Sequence, residues 1–184
     1  MKKREQILDT ALKLITDLGF HATPMSLISK ESKVGIGTIY HYFESKEELI
    51  DTLYTRVKER MGEAMDNSRG PHVKDQFWGL WLSLFAHFIN NPEEFQFIEQ
   101  YANSPLIRKE IREVNKKYYQ PALDLLEKGV DMGVLRNMNV DLMLALVYGN
   151  LAATAKLYLE DQFELSEGMI QQAIQSAWDS IKTT

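Results

Sequence analysis

The chain has 184 residues, enough for one ordinary domain or for a small domain beside a larger one. It contains no cysteine, which excludes disulfides, thiolate metal sites and a thiol nucleophile and suits a cytoplasmic protein. The net charge of −5 argues against nucleic acid for the chain as a whole, yet residues 1–60 carry ten Lys/Arg against nine Asp/Glu, and the remainder carries eleven against seventeen. DNA binding needs a local positive face rather than a positive total, and Lys2, Lys3 and Arg4 cluster at one end, with Lys30, Lys33 and Lys46 further on. No leader segment is expected, because residues 1–6 run directly into an amphipathic helix. No uninterrupted apolar run approaches the roughly 20 residues needed to cross a bilayer, so no membrane partner is expected.

The first helix is expected from Arg4 to Leu18, with Ile7, Leu8, Ala11, Leu12, Leu14, Ile15 and Leu18 forming an apolar stripe. Gly19 ends it and Phe20 packs back. A second helix should run from Pro24 to about Ser32, with Thr23 as N-cap, Pro24 in the first helical position, and Leu27 and Ile28 inward. Lys33 and Val34 make a turn, and a third helix starts near Gly35 or Ile36 and ends at Phe43. Ile39 and Phe43 lie four apart and share its buried face. Two short helices across a tight turn, with polar and aromatic groups outward, fit the helix-turn-helix that enters a DNA major groove. The spacing alone fits an ordinary helical corner equally well.

A fourth helix begins at Ser45, which with Glu48 makes a capping box, and carries Leu49, Leu53, Val57 and Met61 down one face to Ala64 or Met65. The run from Asp66 to Pro71 breaks the chain. An aromatic-rich helix follows from Val73 to Ile89, then a shorter one from Glu93 to Tyr101. Ser104 and Pro105 should open a long helix reaching Leu126, which Pro121 either kinks or divides. The stretch from Gly129 to Leu135 is a connector with two glycines at turn positions. Val140–Leu159 and Glu167–Ile181, the latter capped by Ser166, complete an all-α chain of about nine helices with no convincing strand. The division expected is a helix-turn-helix domain over 1–48 and a larger helical domain over 49–184.

The residues decide between the two readings of the short helix pair. GIGTIYHYFESKEEL, from Gly35 to Leu49, resembles the end of the DNA-binding domain in the TetR family of bacterial transcriptional repressors, and Leu14 to Ser29 resembles that family's first two helices. The specific part is Gly37, Thr38, Tyr40, Tyr42, Phe43, Lys46 and Leu49. The resemblance is strong over residues 4–56; beyond them it extends to length and helical layout only.

For the candidate DNA-binding residues, Thr38 near a helix start can donate its hydroxyl to a phosphate, or cap locally. Tyr40 and Tyr42 flank the buried positions, where a phenol reaches a phosphate, as the matching family positions commonly do. Lys46 sits in the first turn of its helix, the unfavourable end for a cation, which makes sense with a phosphate opposite; the family lysine there has that role. His41 fits a base edge or inert surface equally. The sequence departs from the family pattern at Lys33, where the turn often has glycine, at Gly35, a weaker cap, and at Ile36, where groove-reaching residues are common. Ile36 can touch a thymine methyl but cannot read guanine bidentately, and Gly37 adds only closeness. Base readout then leans on Ser26, Ser29, Lys30, Ile36, His41 and DNA shape.

The resemblance also implies a homodimer on a palindromic operator, paired through the last two helices, with Leu146, Gly149, Ala153, Ile170, Ala173, Ile174, Ala177 and Trp178 as interface candidates. Burial within their own domain is the alternative. Trp78, Trp81, Phe85, Phe88, Phe95, Tyr101, Tyr118 and Met143 are plain core by spacing alone. The resemblance makes them candidates to line a cavity for a small hydrophobic or aromatic effector. No carboxylates or histidines pair at a catalytic spacing, so no enzyme, cofactor or metal is expected. The expected function is a repressor released from DNA by that effector. The rival is a ligand-binding or adaptor protein of the same fold with weak or lost DNA binding.

Overall fold

The computed structural model describes residues 2–65, 70–160 and 164–184. Among them it holds ten α-helices: α1 Lys2–Leu18, α2 Met25–Ser32, α3 Ile36–Tyr42, α4 Lys46–Met65, α5 Val73–Asn90, α6 Pro92–Tyr101, α7 Lys109–Val114, α8 Gln120–Asp131, α9 Val140–Leu159 and α10 Glu167–Ile181. A 3-10 helix over Asn115–Tyr119 joins α7 to α8, and the one β-bridge among the described residues pairs Leu135 with Lys182. The all-α class is as expected. Four of the six residues of the expected break from Asp66 to Pro71 lie outside the described residues.

The chain forms two compact units. The first holds residues 1–59 and 91–115, the second 60–90 and 116–184. The units are therefore not consecutive stretches, and α4 contributes to both.

In the first unit, Ile7, Leu8, Ala11 and Ile15 of α1 are fully buried and meet Ile28, Ile39 and Phe43 from α2 and α3. Leu18 leaves the expected stripe and stands exposed at the helix end. Gly19 takes φ +87, the left-handed conformation that ends a helix cheaply only for glycine. Thr23 is not the N-cap of α2. It is fully buried, and its hydroxyl donates back to the carbonyls of Leu14 and Gly19 at 3.1 and 2.9 Å. Pro24 takes the cap position without a side-chain bond. The Thr23 hydroxyl thus ties the chain after Gly19 back onto the last turn of α1 instead of capping α2.

The turn after α2 has the geometry its sequence makes costly. Lys33 adopts φ 56, which would suit glycine better by roughly 1 kcal/mol. Two side chains hold it there: Ser29 donates to the Val34 carbonyl at 2.7 Å, and Gln6 of α1 donates to the Ser32 carbonyl at 2.7 Å. At the start of α4, Ser45 Oγ accepts from the Glu48 amide at 3.1 Å, as a capping box requires. The Glu48 carboxylate reaches one residue further back than expected and accepts from the Glu44 amide at 2.6 Å.

The second unit is a bundle of α5, α8, α9 and α10 with the end of α4. The expected long helix from Ser104 does not form. Residues 104–107 make hydrogen-bonded turns, α7 is short, and α8 starts one residue before Pro121. A proline in the first helical turn loses nothing by lacking its N–H, whereas an interior one clashes with the preceding turn, so the helix divides. Gly133, at φ +67, is the turn glycine of the following connector. Gly129 lies inside α8 instead, where a Cβ would sit 2.5 Å from Leu135 Cδ1, so glycine there permits close packing. α9 is the single described helix long and apolar enough to cross a bilayer by composition, with mean hydropathy 1.4. It packs against α5, α8 and α10 on one side, and 33% of its most apolar stretch is buried.

Candidate nucleic-acid interface

α3 is positioned from below. Ile39 is fully buried and Phe43 nearly so, and they fix the helix against α1 and α2. That leaves Ile36, Gly37, Tyr40 and His41, at helical spacing, on one open face, with Ile36 43% and Tyr40 51% exposed. Thr38 and Tyr42 flank it, half-buried. A Cβ built on Gly35 or Gly37 would meet nothing within 4 Å, so the fold does not require glycine at either position. Their effect is to leave backbone bare on the outward side. From α2, Ser26 and Lys30 are also exposed, whereas half-buried Ser29 donates its hydroxyl to the Val34 carbonyl and keeps only its acceptor capacity.

Around this face the cations are held in place. The Arg4 guanidinium lies 5.6 Å from the Phe43 ring centre, tying the basic end of α1 to the end of α3. The Lys46 ammonium donates to the Phe20 carbonyl and sits 4.0 Å from the centre of the Phe20 ring. Burial pulls its pKa below the ordinary lysine value, with neighbouring Glu47 pulling the other way. An ammonium has three donors, so two remain for an anion. Arg56, nearly buried on α4, grips α1 through Asp9 at 2.7 Å and Glu5 at 3.2 Å.

Sequence reasoning missed a set of polar clasps in this unit. Tyr101, the last residue of α6, accepts at its hydroxyl from the Phe20 amide at 3.1 Å. The buried Asp51 carboxylate of α4 accepts from the Arg108 guanidinium and, at 3.3 Å, from its amide. Buried Asn115 donates to the Thr55 hydroxyl at 3.1 Å. These partners are some 50 to 80 residues apart in sequence, and no local pattern announces them.

The effector candidates divide between the units. Phe95 and Tyr101 lie in the first, and the other six in the second. Trp81, Phe88 and Met143 are fully buried, Trp81 stacks on Phe85 at 5.2 Å, and its indole N–H donates to Asn150 at 3.2 Å. Trp78 and Tyr118 are half-buried. Of the dimer candidates, Leu146, Gly149 and Ala153 are exposed on α9, and Ile170 and Ala173 are half-buried on α10. Ile174, Ala177 and Trp178 point into their own unit, where Trp178 meets Phe77 at 5.3 Å and Trp78 at 5.9 Å. Sequence reasoning missed three outward apolar residues that extend the exposed patch: Leu142, Leu157 and Met169, at 49, 37 and 43% exposure. Among the described residues no three acidic or histidine side chains gather as metal ligands.

The family model described as bacterial regulatory proteins of the tetR family matches residues 7–53, and that described as the tetracyclin repressor-like C-terminal domain matches residues 47–183. A fatty acid metabolism regulator protein of Bacillus subtilis is 26% identical over 166 residues, covering 85% of this chain and 84% of its own. The B. subtilis HTH-type transcriptional regulator YhgD is 39% identical over 71 residues, covering 39% of this chain and 37% of its own. A TetR family transcription regulator from Marinobacter aquaeolei VT8 superposes with TM-score 0.92 at 25% identity, covering 99% of this chain and 96% of that one. The second match takes in the helical region where the sequence offered only length and layout. From its reading head to its last helix, this chain belongs to the TetR family of DNA-binding bacterial transcriptional regulators.

Proposed function

We propose that the protein is a cytoplasmic repressor that binds a palindromic operator as a homodimer and leaves it when a small hydrophobic effector binds. The observation that carries the DNA-binding part is the open face of α3, with Ile36 and Tyr40 outward over a buried Ile39. In this reading Tyr40, Tyr42, Thr38 and Lys46 hold phosphates, while Ile36, Gly37, His41, Ser26 and Lys30 meet the groove. The face offers no bidentate guanine reader at Ile36, so readout there is apolar.

The dimer is supported by α9. Leu142, Leu146, Gly149, Ala153 and Leu157 recur at spacings of three and four and are all exposed, an apolar stripe left uncovered by the chain's own fold. A second copy of α9 and α10 would cover it and set two reading heads about 34 Å apart, one turn of duplex, or somewhat more. The effector class is supported by the aromatic core packed in the second unit and by the relative whose name is a fatty acid metabolism regulator. An acyl chain fits that core chemically. Its entry must move side chains that are packed here, and it releases DNA only if it binds the released form more tightly.

α4 would carry the signal. It is one helix, with Lys46 at its start and Gly62 near its end, where a Cβ would come within 3.0 Å of the Tyr118 carbonyl oxygen. The experiment is a gel shift with DNA upstream of the protein's own operon, at low salt, with and without long-chain acyl compounds. Retardation relieved by the compound supports the proposal. No retardation supports the rival, a ligand-binding or adaptor protein with lost DNA binding, which the outward Ile36 and the net charge of −5 would suit.

A further inference from the structure

We propose that Tyr101 is a positioning residue for DNA binding: through the backbone of Phe20 it holds Lys46 in place against the operator phosphate. The inference rests on the reading of Lys46 as a phosphate ligand and names what controls it.

Phe20 is gripped on both sides of its residue. Its amide donates to the Tyr101 hydroxyl at 3.1 Å, and its carbonyl accepts from the Lys46 ammonium. Its ring lies under the same ammonium at 4.0 Å and is buried. The amide bond is unusual for its place. Gly19, left-handed at φ +87, donates to the Ile15 carbonyl at 2.9 Å and closes α1. The next amide would ordinarily turn back to a free carbonyl of its own helix. Here it takes a hydroxyl from α6 instead, 81 residues away in sequence. Within the corner between α1 and α2 the Thr23 amide donates to the Phe20 carbonyl at 3.2 Å and the Thr23 hydroxyl to the Gly19 carbonyl at 2.9 Å, so α6 holds the Phe20 amide while these local bonds hold the carbonyls on either side.

The chemistry at Lys46 makes this matter. The long lysine side chain loses much rotamer freedom when it is held at one point, and α4 alone would not hold it. The Phe20 carbonyl takes one of its donors and fixes where the other two point. The amide lies in the peptide before the Phe20 Cα and the carbonyl in the peptide after it, so it is displacement of the whole residue that moves both the carbonyl and the ring that orient the ammonium. With Tyr101 reduced to phenylalanine, the Phe20 amide is buried without a partner, and the peptide can relieve that only by rotating or shifting. Any shift of α6 does the same, so the Tyr101 hydroxyl links the position of α6 to one cation of the reading head.

The test measures operator affinity against salt for the full-length protein. Each phosphate neutralised contributes about 0.9 to the slope of log K against log salt. Lys46→Gln should weaken binding about tenfold and flatten the slope by about 0.9 per subunit. Tyr101→Phe, which keeps the ring against Phe97 at 5.2 Å, should flatten the slope similarly, and the double variant should flatten it no further. Phe97→Leu, a packing change beside the clasp, should lower thermal stability and leave the slope unchanged. If Lys46→Gln flattens the slope and Tyr101→Phe does not, the inference is overturned while the DNA-binding reading stands. If Lys46→Gln leaves the slope unchanged, or the protein binds no DNA, the reading of Lys46 fails and the inference with it. Amide exchange in the unmodified protein tests the bond without any variant: Phe20 should be protected, and rapid exchange there overturns the proposal.

Discussion

The two units are held together by different physics. The second unit is chiefly aromatic and aliphatic packing, in which Phe77, Trp78 and Trp178 meet edge to face or tilted and Trp81 stacks on Phe85, with a few sequence-distant hydrogen bonds such as Trp81 to Asn150 and Arg136 to the carbonyls of Asp179 and Lys182. The first has its own apolar core, and across it run polar clasps between residues distant in sequence: Arg56 to Glu5 and Asp9, Asp51 to Arg108, Asn115 to Thr55 and Tyr101 to Phe20. Apolar packing tolerates repacking by volume, whereas a hydrogen bond to a fixed donor defines one geometry. A unit that must present a helix to duplex DNA at one angle uses the second device. A unit expected to admit hydrophobic molecules uses the first.

The largest expected effect breaks the second unit. Trp81→Ala removes a fully buried indole and should cost about 3 to 5 kcal/mol in chemical denaturation, enough to unfold a marginal domain. Next is a clasp of the first unit. Asp51 is 4% exposed at its side chain and Arg108 is 59% exposed, so the two are not equivalent. Arg108→Ala removes the charged partner of a buried carboxylate, leaving it the residue 108 amide, and should cost about 3 kcal/mol, while Asp51→Ala frees an arginine that water can solvate and should cost less. Equal costs would show that the pair is not buried asymmetrically.

Lys58 sharpens the comparison through pH. It lies on the α4 segment of the first unit, and burial lowers its pKa from 10.5 to about 8. The unfolded chain therefore holds a proton between those values that the native chain has lost, and stability rises with pH across that window by roughly 1 kcal/mol per unit at most. Below pH 8 the cost of the buried charge is constant. Urea titrations from pH 7 to 10 should show this rise, and Lys58→Met should remove Lys58's share of the slope. The smallest effect separates folding from function. Gly37→Ala meets no neighbour within 4 Å and should stabilise the helix by about 0.5 to 1 kcal/mol, yet place a methyl on the face proposed for the groove and weaken DNA binding. Unchanged affinity would show that Gly37 does not approach the duplex.

What the sequence made legible follows the same division. Apolar periodicity located α1, α5, α9 and α10, the short pair α2–α3 followed from Pro24 and the Ile39–Phe43 spacing, and the residues from Gly35 to Leu49 decided between a helix-turn-helix and an ordinary corner. The outward face of α3 followed from the spacing of Ile39 and Phe43. Thr23 misled because a threonine before proline satisfies the rule for an N-cap, while its hydroxyl serves the helix behind it. Pro121 divides the helix expected from Ser104, one of its two expected effects, whereas the start at Ser104 misled because residues 104–107 make turns and α7 begins only at Lys109. Trp178 misled because a helix with apolar residues on more than one side does not say which side its own chain will take. The clasps were invisible because each needs two residues far apart in sequence to meet, and sequence from one chain records no such pairing.

The central claim is that the outer face of α3 reads duplex DNA twice per assembled particle. A binding-site selection from random duplex DNA tests it most directly, with the bound species sized by light scattering. The account predicts an enriched inverted repeat, its halves about one helical turn apart or somewhat more, bound by an even number of subunits and lost when Tyr42 and Lys46 are replaced together. Enrichment of no sequence, or of a single unrepeated site bound by one subunit, would contradict it.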